Sequence, residues 1–123
     1  MFTNSFNGIM NRATWKLTAI TRGTDEDKPV KVSAAGTVSL CVAEDIFIGV
    51  IESIDRDNAF GVVNQKGFVT LPYTGTAPAV GSNVELVANA AGGVKVPATA
   101  GTGKRYVVAE VNTTALTVTF YLG

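Results

Sequence analysis

Glycine, proline, asparagine and aspartate punctuate this chain too closely for a long helix. Thirteen glycines and four prolines fall within 123 residues. An interior glycine costs a helix about 1 kcal/mol relative to alanine, and a proline about 3 kcal/mol. Between the breaks, apolar and polar residues alternate. Trp15, Leu17 and Ala19 alternate with Lys16 and Thr18, and Val38, Leu40 and Val42 with Ser39 and Cys41. Val84, Leu86 and Ala88 flank Glu85, and Leu116, Val118, Phe120 and Leu122 interleave with Thr117, Thr119 and Tyr121. A period of two marks strands with one buried face. Turn residues stand between these runs at 55–58, 64–67, 74–78, 89–93 and 112–114. Short strands recurring this closely predict an all-β fold, a single small β-barrel or β-sandwich-like domain over residues 13–123.

Two runs, 46–54 and 106–111, are apolar on both faces. They read as central strands, or as strands with one face against a partner. Phe47, Ile51, Tyr106, Val108 and Tyr121 lie opposite the more regular core positions. They are the expected interface between copies, most simply in a closed ring of three. Residues 22–29 form the most polar segment and are expected as an exposed loop.

Residues 1–12 differ from the rest and read as an extended N-terminal arm. Phe2, Phe6, Ile9 and Met10 follow no strand period and are interspersed with asparagines, and Arg12 closes the segment. Such a segment is too apolar for a free tail. It docks either on its own domain or on another protein, and these residues are the expected partner contacts, with the arm along a neighbouring subunit.

Ten basic and ten acidic residues give no net charge. This argues against nucleic acid, which demands clustered positive charge, and against an anionic membrane surface. No apolar run is long enough for a transmembrane helix. The first residues lack the basic start and apolar run of a secretory signal. Charged residues make up 16% of the chain, against a usual ~25%. A surface this poor in charge fits a protein partly covered by partners.

Histidine is absent and cysteine occurs once, at Cys41. No intrachain disulfide, Ser-His-Asp triad, Cys-His pair or Cys/His zinc site can be built, and no enzyme activity or cofactor is expected. Asp55 and Asp57 begin like a calcium loop. Ala59, Phe60 and Lys66 then stand at the fifth, sixth and twelfth places, where a ligand, a glycine and a bidentate glutamate are needed. Asp45 and Glu52 are the remaining acid–base candidates, with nothing in the sequence to bring them together. Residues 98–106 have the look of a phosphate loop, but Ala98 replaces its first glycine and Arg105 its Ser/Thr. A strand pattern follows where a helix should open.

From about Ile46 to Leu122 the chain resembles the capsid cement, or head decoration, proteins of tailed bacteriophages. The resemblance rests on an ordered series: FIGVIES at 47–53, FGVVNQKGFVTLP at 60–72, AVGSNVELVANAAGGV at 79–94 and GKRYVVAEVNTTALTVTFYLG at 103–123. VKVSAAGTVSL at 30–40 fits the preceding strands less distinctly. The resemblance covers about two-thirds of the chain and implies a β-barrel-like domain. It implies homotrimers on the outer surface of the virion capsid that bridge major capsid protein subunits and hold the expanded head. Another virion or appendage β domain (tail, fibre or spike), or a small ligand-binding barrel, has a similar composition.

Overall fold

Valine, threonine and aromatic residues in alternation build ten strands among residues 12–122, the part of the chain that the computed structural model describes. The fold is all-β. Strands β1 (Arg12–Leu17), β2 (Pro29–Ala34), β3 (Thr37–Leu40), β4 (Gly49–Ile54) and β5 (Phe60–Asn64) close into a barrel in the order β1-β3-β2-β4-β5. Only β1 and β3 run parallel; every other pair in the barrel is antiparallel. Strands β6 (Phe68–Pro72), β7 (Gly81–Ala88), β8 (Val94–Lys95), β9 (Lys104–Asn112) and β10 (Thr117–Tyr121) form a second sheet, ordered β6-β10-β9-β7-β8. A bridge between Tyr73 and Val94 draws its two edges together at one end, so this sheet curls round its own core.

Each half has a separate core. Trp15, Leu17, Val30, Val38, Ile51 and Val63 fill the barrel. Phe47, Leu71, Leu86, Tyr106, Val118 and Phe120 fill the curled sheet. Strand β4 belongs to both: Val50 packs in the sheet core and its neighbour Ile51 in the barrel core. That is why residues 46–54 are apolar on both faces. The partner inferred from this pattern is the other half of the same chain. A register shift against β5 between Ile51 and Ser53 marks a bulge. It lets Ile51 and Ile54, three residues apart, both face the barrel interior. Gly49 is required where β4 crosses β5, because a Cβ there would overlap the Asn64 carbonyl oxygen.

Four of the five residues expected between copies are instead interior. Phe47, Ile51, Tyr106 and Val108 are at most 4% exposed within the single chain. A side chain already shielded by its own fold has no surface left to bury against a second copy. Tyr121 alone faces outward.

Other expectations shift locally. The alternation beginning in β1 breaks after Leu17. Ala19 takes a positive φ of 56° and points outward, and Ile20 enters the core in its place. Leu116, expected on the core face, is exposed and closes the β9–β10 turn at a φ of 58°. Within the polar 22–29 loop, Asp25 is buried. It accepts hydrogen bonds from the Thr21 amide and the Lys28 ammonium, each at 2.8 Å, and organises the loop from inside. Both contacts hold its carboxyl below the usual range, the Lys28 bond most strongly.

Candidate interaction surface

The outer face of the second sheet follows from the same alternation. In β6, Leu71 is buried and Val69 half-buried, so Phe68, Thr70 and Pro72 project to solvent. In β10, Val118 and Phe120 point inward and Tyr121 outward. Tyr121 is registered opposite Phe68 on one side and Val107 on the other. One apolar row therefore crosses three adjacent strands. Phe68 is 59% exposed, Val107 42% and Tyr121 39%. The Phe68 and Tyr121 rings lie 5.1 Å apart in a tilted pair. Beside them the Thr70 and Thr119 hydroxyls share a hydrogen bond of 2.7 Å. Neither FVTLP nor TVTFY contains a charge. Phe68 and Val107 were missed as surface residues, although Phe68 lies one position from inward Val69, a legible sign of its direction.

The remaining candidates fall elsewhere. Phe2, Phe6, Ile9 and Met10 lie outside the described residues. Arg12 opens β1, its backbone in register with Asn64. Asp45 accepts from the Lys31 ammonium at 2.7 Å and the Val42 amide at 2.9 Å, which fastens the loop before β4. Asp55 holds the β4–β5 hairpin by accepting from the Ala59 amide at 2.8 Å, with Asn58 at a φ of 59°. These are turn roles. Among the described residues no three His, Cys, Asp or Glu side chains gather around a common point fit for a metal ion. Cys41 is half-buried, and burial, aided by the Asp45 carboxylate, pushes its thiol up to about 12. It remains protonated and unreactive at neutral pH.

The glycine-rich loop that has the look of a phosphate cradle does bind an anion, but an internal one. The Gly101 amide donates to both oxygens of Glu85 at 2.9 and 3.1 Å, and the Gly103 amide to Oε1 at 3.0 Å. Arg105 adds an ion pair at 3.7 Å. The two amides hold the Glu85 carboxyl below its ordinary value. Lys104 sits 5.5 Å over the Tyr106 ring. At the other end of the loop, the Glu44 carboxylate accepts from the Ala98 amide at 2.9 Å and pairs with Lys95.

Because the folded Glu85 is the more acidic state, its contribution to stability is fully present above the unfolded value of about 4.3. It is lost as pH falls through the lower folded value. Glu85→Gln therefore weakens the loop at pH 7 and has a smaller effect near pH 3. Exchange of the Gly101 and Gly103 amides in the two proteins measures this, and equal exchange at pH 7 contradicts it.

No protein family, curated protein or solved structure matches this chain.

Proposed function

We propose that the chain is a non-enzymatic virion structural protein, a capsid cement protein that binds the outside of a bacteriophage head. In this reading it acts as a homotrimer, bridges major capsid protein subunits and stabilises the expanded shell. The observation that carries the reading is the uncharged outer row of Phe68, Tyr121 and Val107 across three paired strands. Support also comes from the sequence resemblance, whose segments fall on β4, β5, β6, β7, β9 and β10 in order. A ligand-binding barrel is the weaker alternative, since Trp15, Leu17, Val30, Val38, Ile51 and Val63 occupy the barrel interior.

Magnitudes favour many copies over one. Two aromatic side chains, already half covered, contribute roughly 2–5 kcal/mol gross when the rest of their surface is buried. Association costs about 4–15 kcal/mol in lost freedom. One such row does not hold a single copy, whereas a ring of copies docking on a repeating shell multiplies it.

The test is cosedimentation of the purified chain with expanded heads of the phage that encodes it, followed by cryo-imaging and heating. The wild-type chain is expected on the shell and is expected to raise its disruption temperature. The surface double variant Phe68→Ser, Tyr121→Ser is expected to remain in the supernatant. Bare heads that neither bind the chain nor gain heat resistance from it overturn the reading.

A further inference from the structure

Strand β5 turns its bulkier side chains to solvent. Phe60 and Val62 face outward, while Gly61 and Val63 face inward. Gly61 is fixed there, because a Cβ would overlap the Ser53 carbonyl oxygen. Phe60 is left 49% exposed. With Ile54 it and Val62 give an open hollow of about 240 Å³ its apolar lining, and Thr14, Ser53 and Asp55 complete the wall. Val62 is in register with Thr14 of β1 and Ser53 of β4, so the hollow lies across three paired strands on the outside of the barrel. Contiguous apolar surface turned to solvent marks a site of interaction.

The molecule therefore carries two such surfaces, one on each half. The row of Phe68, Tyr121 and Val107 projects from the second sheet, and the hollow of Phe60 and Val62 is sunk in the barrel. Both stay exposed within the single chain, so they do not cover each other. A closed ring of three cannot be built from one patch that meets itself. It needs two unlike patches that meet head to tail.

The margins of the two surfaces carry matching charges. Beside the row, Arg105 lies two residues before Val107 on the outward side of β9, and Glu110 is in register with outward Thr119. At the hollow, Asp55 stands in the wall and Lys16 is the register partner of Phe60. Each surface thus has one acid and one base to offer the other, and chains without net charge do not repel. Phe68 and Tyr121, at 59% and 39% exposure, offer about 200 Å² between them, against about 800 Å² per partner in a standard interface. A contact of that size does not hold an isolated pair. In a ring every copy is held by two neighbours, and the last contact closes within one assembly.

We propose that the Phe68–Tyr121 row of one copy seats in the Phe60–Val62 hollow of the next, head to tail. The proposal rests on the homotrimer reading and not on what the ring binds.

Two full-length chains are mixed, both carrying Cys41→Ser, and oxidised at micromolar concentration. One carries Val62→Cys in the hollow, and the other Val107→Cys or Thr119→Cys at the row. Disulfide-linked pairs of unlike chains are expected at a yield at least tenfold above that with Val32→Cys in place of Val62→Cys. Adding Phe68→Ser and Tyr121→Ser to the row chain is expected to abolish the excess. Pairs formed mainly between two row chains show the row meeting itself and overturn the proposal. So does a yield no higher than the control for both row positions. No capsid is involved. Heads that bind a chain giving no unlike pairs leave the capsid reading standing without this contact, and unlike pairs without head binding do the reverse.

Discussion

Phe120→Ala is expected to lower the melting temperature by roughly 10–20 °C. The ring is fully buried and packs edge-on to two others. Its centroid lies 5.9 Å from Phe47 and 5.1 Å from Tyr106, while those two stack at 5.4 Å, only 5° from parallel. Truncating a buried phenylalanine costs about 3–5 kcal/mol, because the removed surface and the cavity both count. A domain has about 5–15 kcal/mol in all, so a large share disappears. Phe47→Ala is expected to behave alike. Were Phe47 an interface residue, its loss would alter the dependence of stability on protein concentration. As a core residue it lowers the denaturant midpoint equally at all concentrations. Urea titrations at two concentrations a hundredfold apart decide between them.

Asn89→Ala is expected to cost about 2–4 kcal/mol, a large effect for a polar residue in a turn. The side chain is buried at the β7–β8 connection. Its amide donates to the Val94 carbonyl at 3.1 Å and the Thr74 hydroxyl at 3.2 Å. Its oxygen accepts from the Ala91 and Gly93 amides at 2.8 and 2.9 Å. Gly93 is itself buried, and a Cβ there would overlap the Pro72 carbonyl oxygen, so an orphaned N–H at this point is shielded from water. Exposed Asn112 uses the same two-amide capture at the β9–β10 turn, at 3.0 and 2.9 Å. Water can replace its bonds, so Asn112→Ala serves as the mild comparison. Equal losses at the two positions, measured by thermal unfolding, contradict the burial argument.

The all-β architecture was legible because alternation is a local signal. Val118, Phe120 and Leu122 point inward as their spacing dictates, and Asn58, Gly67 and Gly92 take positive φ in the turns between strands. What alternation does not encode is the identity of the opposing surface. Ile51 and Tyr106 look the same in sequence whether they meet another subunit or another part of their own chain. The bulge in β4 compounds this, since one extra residue reverses the facing of all that follows. Asp25 was illegible for a different reason. Its burial depends on a lysine three residues on and on the Thr21 backbone folding over it, and a run of charges looks like surface whatever lies beneath. The outer row of Phe68, Tyr121 and Val107 needed strand pairing, which joins residues far apart in the chain.

Adjacent Val50 and Ile51 pointing into different cores make β4 a party wall between the halves. Excising the barrel leaves the sheet without Phe47 and Val50, both part of its filling. Excising the sheet leaves Val50 facing water. Neither half keeps its full set of core residues without the other. Load passes between the halves through β4 and through the loop before it, where the Glu44 amide donates to the Ala88 carbonyl and the Asp45 carbonyl accepts from the Ala88 amide.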